Sequence, residues 1–153
     1  MTDLKTEPKD EIQKLLDAQD WAAAAETLEE VLARKDAGDQ DVLYFLDNLG
    51  YVYFRLGRPS DALECCRRAL EMDVGHAYAF KGQGVCLAEL GKVEEGVRSL
   101  LNAIHLDPNF FDAYHDLAVI LLRAGHKEKA KPWAQRAYQL DPVRGEALVR
   151  KFY

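Results

Sequence analysis

Glycines at positions 57, 91 and 125 stand 34 residues apart, and so do Ala69, Ala103 and Ala137, and Asp73, Asp107 and Asp141. Gly50, Gly84 and Ala118 keep the same step in phase with them. Ladders that share one period mean that a structural unit has been duplicated, so the chain folds as an array of similar parts and not around one undivided core.

Within a unit the spacing describes two helices. Leu46, Leu49, Gly50 and Tyr53 fall at i, i+3, i+4 and i+7, one face of a helix. Gly57 ends that helix, and Pro59-Ser60-Asp61 starts a second, with Ala62, Cys66 and Ala69 on its inner stripe. The next unit repeats the scheme with Phe80, Gln83, Gly84 and Leu87, a break at Gly91, then Gly96, Leu100 and Ala103 up to Asp107-Pro108. The third has Tyr114, Leu117, Ala118 and Leu121, a break at Gly125, then Ala130, Ala134 and Ala137 up to Asp141-Pro142. Pro132 falls inside this last helix. A helix starting near Glu128 puts it at the edge of the first turn, and an earlier start predicts a kink.

These residues resemble the tetratricopeptide repeat, whose signature runs Trp-x2-Leu-Gly-x2-Tyr, then Ala-x3-Phe, then Pro. The first unit matches at Leu49, Gly50, Tyr53 and Ala62, with Leu46, Cys66 and Val74 in place of Trp, Phe and Pro. The others keep Pro108 and Pro142, with Phe80 and Tyr114 at the Trp position. The resemblance implies an all-α fold, a right-handed α-solenoid of antiparallel helix pairs in one domain. Residues 43–76, 77–110 and 111–144 are the three repeats. Residues 1–42 read as a degenerate N-terminal capping helix pair, with its second helix after Asp20-Trp21, followed by the linker 35–41. Residues 145–153 read as a C-terminal capping helix.

Composition narrows the function. A formal charge of −6 disfavours nucleic acid or an anionic membrane as the main partner. The charge-rich opening lacks the apolar core of a signal peptide, and no apolar run approaches membrane-spanning length. The three cysteines fit neither a zinc spacing nor a redox pair and read as reduced thiols in a cytoplasm. Ser60 and Ser99, the only serines, lie in no Gly-x-Ser-x-Gly turn, and Gly82-Gln83-Gly84 lies inside a predicted helix after no strand, so it reads as helix packing. Asp112, His115 and Asp116 share a turn but read as a solvated or partner-facing surface. The chain is therefore read as no enzyme, with no cofactor and no metal.

Members of the resembled family bind peptides or proteins in a groove lined by the first helices. In the first unit Tyr44, Asp47, Asn48, Tyr51 and Arg55 form a stripe rotated away from the core stripe. Tyr78, Lys81, Val85 and Glu89 follow in the second unit, and Asp112, His115, Val119 and Arg123 in the third. With Phe54 these make the expected partner-binding groove, since aromatic residues mixed with charges of both signs are interface chemistry. Some family members grip a partner's terminal carboxylate with a Lys, Asn, Asn, Lys, Arg clamp. The matching positions here read Asp47 and Tyr51, Gly82 and Val85, Asp112 and Asp116, which cannot hold a carboxylate. The expectation is an adaptor, scaffold or chaperone-like module. The alternatives are a self-assembling homo-oligomer, in which an acidic start meets a basic end, and a chaperone of a bacterial secretion system.

Overall fold

The computed structural model of the chain describes residues 7–36 and 39–153. The opening residues 1–6 and linker residues 37 and 38 discussed above lie outside it. Among the described residues every regular element is helical: α1 (Pro8–Asp17), α2 (Trp21–Ala33), α3 (Val42–Arg55), α4 (Pro59–Met72), α5 (Ala77–Glu89), α6 (Val93–Leu106), α7 (Phe111–Arg123), α8 (Lys127–Leu140), α9 (Pro142–Val149) and a closing 3-10 turn, Arg150–Phe152. Each helix packs on the next, and α3 on α5, α5 on α7 and α7 on α9, which makes a solenoid of hairpins. None of these helices is long and apolar enough to cross a membrane.

The hairpins turn by one device. Gly57, Gly91 and Gly125 take φ values of 72°, 81° and 84°. The amide after each glycine reaches back five residues: Arg58 N–H donates to Tyr53 O at 2.8 Å, Lys92 N–H to Leu87 O at 2.8 Å, and His126 N–H to Leu121 O at 2.9 Å. These bonds satisfy carbonyls that a helix end leaves bare. A left-handed residue with a Cβ costs about 1–2 kcal/mol, so glycine holds the position. The first hairpin stops in the same way, with Asp20 N–H donating to Leu15 O at 3.0 Å. Its left-handed residue, however, is Gln19, at φ 55°. Gln19 precedes Gly57 by 38 residues, four more than the period. A non-glycine stop and a lengthened linker together hide this hairpin from the ladders.

Small residues set how closely the two helices of a hairpin approach. The facing pair is Gly50 with Ala62 in the first repeat, Gly84 with Gly96 in the second, and Ala118 with Ala130 in the third. The second pair is the tightest: a Cβ built on Gly84 would stand 2.7 Å from the Gly96 carbonyl oxygen. The N-terminal hairpin buries Ile12 on the helix facing Ala24 and Ala25.

One helix boundary differs from the sequence reading, and the structure fixes a second that the sequence left open. The closing helix begins at Pro142 and not at Gly145, because Asp141 caps it, its carboxylate accepting from Arg144 N–H at 3.1 Å, with Pro142 at the first helical position. In the earlier repeats the matching aspartates accept from an amide two residues on, Gly75 N–H at 2.9 Å and Asn109 N–H at 3.0 Å, and no helix starts there. The last long helix begins at Lys127, which places Pro132 in its interior. Pro132 and Glu128 are both exposed, so the carbonyl of Glu128, deprived of its i+4 donor, is left near solvent.

Candidate partner-binding groove

The inner side of the solenoid is formed by α3, α5 and α7. Between α3 and α5 it holds a cavity of about 150 Å³, lined by Asp47, Tyr51, Phe54, Tyr78, Lys81 and Val85 from the expected groove. Leu46, Gly50, Ala79, Gly82, Cys66, Cys86 and Asp116 complete it.

The cavity exists because a side chain is missing. Asn48, Gly82 and Asp116 occupy the same place in successive repeats, and Gly82 supplies no atoms beyond its backbone. A Cβ there would meet Cys66 Sγ at 2.9 Å, so the glycine also makes room for the cysteine that reaches in from α4. Five of the six residues at the clamp-like positions, Asp47, Tyr51, Gly82, Val85 and Asp116, line this one cavity.

Its walls are aromatic and its rim is charged. Tyr51 meets Trp21 of α2 edge-on at 5.7 Å, Arg55 lies over the Trp21 ring at 4.6 Å, and the Arg55 guanidinium donates to the Tyr51 hydroxyl at 2.9 Å. Lys81 Nζ stands 4.8 Å from the centre of the Tyr78 ring. His76, at the start of α5, bonds Asp47 at 2.8 Å and so ties the second repeat to the first helix of the one before it. Burial pushes the Asp47 carboxyl above the usual carboxylate range, with His76 opposing it. Burial also pushes the Tyr78 hydroxyl up to about 12, with the Asp47 charge adding to it. The neighbouring Cys86 thiol and burial push the Cys66 thiol up, while Cys66 draws the Cys86 thiol down.

The remaining expected residues lie elsewhere. Tyr44 and Asn48 sit nearer the start of α3: Asn48 Nδ2 donates to Tyr44 O at 2.8 Å, and Lys9 Nζ stands 5.1 Å above the Tyr44 ring. Glu89 pairs with Arg123, its counterpart one repeat later, at 2.9 Å, and the two border a separate cleft with Val93 and Ile120. Asp112 pairs with Arg144 of α9. His115 stacks on Phe111 at 5.7 Å and lies 3.4 Å from Asp116, and Val119 packs half-buried against the core. The stripe is thus divided between a cavity and a set of links between repeats.

Cys66, Cys86 and His76 are cavity or rim residues that the sequence reading did not assign to the groove, and Asp116 entered it only as a position matching the carboxylate clamp. Cys66 escaped it because it comes from a second helix of a repeat.

Family models described as tetratricopeptide repeat match residues 48–75 and 99–132. Among curated proteins the chain is 29% identical over 99 residues to the TPR repeat-containing thioredoxin TTL4 of Arabidopsis thaliana, covering 65% of this chain and 14% of that protein. It is 29% identical over 83 residues to anaphase-promoting complex subunit 3 of Schizosaccharomyces pombe, covering 54% and 12%. The chain thus spans only about one-seventh or less of either relative's length. Among solved structures it superposes on YrrB, described as a TPR protein with an unusual peptide-binding site, at a TM-score of 0.73 and 24% identity, covering 95% of this chain and 73% of that one. MamA gives 0.72 and 23%, covering 93% and 82%. The first TPR of Spaghetti (RPAP3) bound to HSP90 peptide SRMEEVD gives 0.68 and 20%, covering 74% and 94%.

Proposed function

We propose that this chain, which belongs to the tetratricopeptide repeat proteins, is a non-catalytic interaction module that holds a segment of a partner protein along α3, α5 and α7. The observation that carries this reading is the cavity at Gly82, an apolar hole of about 150 Å³ walled by Tyr51, Phe54, Tyr78 and Val85. A hole of that size takes one aliphatic or small aromatic side chain, and apolar pockets with a few placed polar groups are the usual form of a recognition site. The rim carboxylates Asp47 and Asp116 favour a segment whose neighbouring groups donate hydrogen bonds or carry positive charge. They disfavour a terminal carboxylate at this point. Two proteins of the same fold, YrrB and the first TPR of Spaghetti (RPAP3), have a peptide-binding site or a bound peptide, which supports a peptide-binding reading.

The test is selection from a random peptide display library on the intact protein and on two variants checked for helicity, Val85→Phe, which fills the cavity, and Tyr78→Ala, which removes a wall. Enriched peptides that share one fixed apolar position and lose binding to both variants support the reading. Peptides that bind all three proteins equally refute it.

A second reading, self-assembly, is favoured by one feature of α9, where the apolar Val143 is 87% exposed beside Arg144. Sedimentation at low and high salt checks it: oligomers that persist unchanged in high salt exclude stacking of an acidic start on a basic end.

A further inference from the structure

The floor of the cavity carries chemistry that partner binding does not use. Cys66 on α4 and Cys86 on α5 both line it. Gly82 and Cys86 stand four residues apart on one face of α5, and a Cβ built on Gly82 would meet the Cys66 sulfur at 2.9 Å, so the two thiols face one cavity across the α4–α5 interface. Their counterparts in the other repeats are apolar, Leu100 and Ala134 for Cys66, Val52 and Ile120 for Cys86. The dithiol occurs once, in the cavity lining, with Cys86 buried and Cys66 half-buried.

We propose that the Cys66–Cys86 pair is a two-coordinate site for one soft monovalent cation, Cu(I). Soft thiolates select Cu(I), and a linear arrangement needs two sulfurs only. Zn(II) asks for four ligands, and among the described residues no three His, Cys, Asp or Glu side chains converge. A disulfide holds its sulfurs at about 2.05 Å, whereas a bridging cation holds them farther apart, and both thiols here are free. On binding, each thiol releases its proton to solvent and the cation joins two thiolates, with no change of oxidation state. The resulting single negative charge shares the cavity with Lys81, which favours it, and with the carboxylates Asp47 and Asp116, which oppose it. Cys65, one residue away, is buried against Gly50 in the α3–α4 interface, lies outside the cavity and takes no part.

The experiment is anaerobic titration of the reduced full chain with Cu(I) against a chromophoric Cu(I) chelator. One equivalent per chain is expected, with the apparent affinity rising up to about 100-fold per pH unit while both thiols are protonated. Cys66→Ala and Cys86→Ala lose at least 100-fold in affinity, and Cys65→Ala stays within twofold. X-ray absorption of the unmutated copper complex shows two sulfur ligands and no nitrogen or oxygen, a readout that stands even if a variant unfolds. Failure to hold copper against the chelator, retention of full affinity by Cys86→Ala, or a coordination shell other than two sulfurs overturns the assignment.

Discussion

Replacing Gly84 with alanine puts the packing argument at risk. A methyl there would lie 2.7 Å from the Gly96 carbonyl oxygen, 2.7 Å from Leu100 Cγ and 3.2 Å from Leu100 N. Two of these neighbours are backbone atoms of α6, so relief requires the helix itself to move. Overpacking of this kind costs about 1–3 kcal/mol, while removing a glycine from a helix interior returns about 1 kcal/mol. The net expectation is a loss of up to about 2 kcal/mol, or a fall in Tm of up to about 8 °C for a chain of this size. Gly50, the same position one repeat earlier, supplies the control. There a methyl would meet Cys65 Cβ at 3.4 Å and the Ala62 carbonyl oxygen at 3.6 Å, ordinary contacts, so Gly50→Ala is neutral or stabilising by up to about 1 kcal/mol. Urea denaturation followed by circular dichroism measures both. A Gly84→Ala protein at least as stable as the parent, or a Gly50→Ala protein that loses as much as Gly84→Ala, refutes the claim that backbone approach at α5–α6 demands glycine. Gly84→Ala combined with Gly96→Ala should cost less than the two singly, because a helix displaced by the first methyl already has room for the second.

Three further outcomes follow from the packing. Gln19→Gly relieves a left-handed residue and stabilises the N-terminal hairpin by about 0.5–1 kcal/mol, seen as slower amide exchange in α1 and α2. Pro132→Ala restores one helical hydrogen bond on an exposed face and raises stability by about 1–3 kcal/mol, read from the urea midpoint. Burial pushes the Cys65 thiol up to about 12, so the folded state keeps a proton that the unfolded chain releases at about 8.5. The favourable contribution is complete below that lower value and is lost as pH rises towards 12, at about 1.4 kcal/mol per pH unit. Cys65→Ala therefore flattens the alkaline limb of the stability profile, and an unchanged limb would contradict the burial argument.

Much of the fold was legible because its determinants recur locally. Gly57, Gly91 and Gly125 mark the same backbone conformation in every full repeat, and a conformation only glycine adopts cheaply leaves a trace at a fixed step. The N-terminal hairpin left no such trace, since Gln19 takes the same conformation at a cost and the linker shifts the phase. The start of α9 was misplaced because Asp141-Pro142 serves as both stop and start, while the other Asp corners stop only. In the groove, the stripe located Tyr51, Tyr78 and Lys81 on the inner side but could not separate cavity from links. Whether Glu89 faces a ligand or Arg123 depends on the rotation of neighbouring repeats. Cys66 entered the cavity through the emptiness of Gly82, which a search for present side chains passes over.

The serial packing of the helices has a mechanical meaning. A pull on the two ends of the chain must pass through every hairpin interface in turn, since each helix packs chiefly on its neighbours, α3 on α5, α5 on α7 and α7 on α9. Load is therefore borne in series, and the weakest hairpin yields first while its neighbours stay folded. The one stopped by Gln19 and joined by the longer linker is the natural candidate. Each full repeat that gives way frees 34 residues, or about 110–120 Å of extended chain. Under tension the molecule lengthens in steps of nearly equal size, as an extensible tether and not as a body that breaks once.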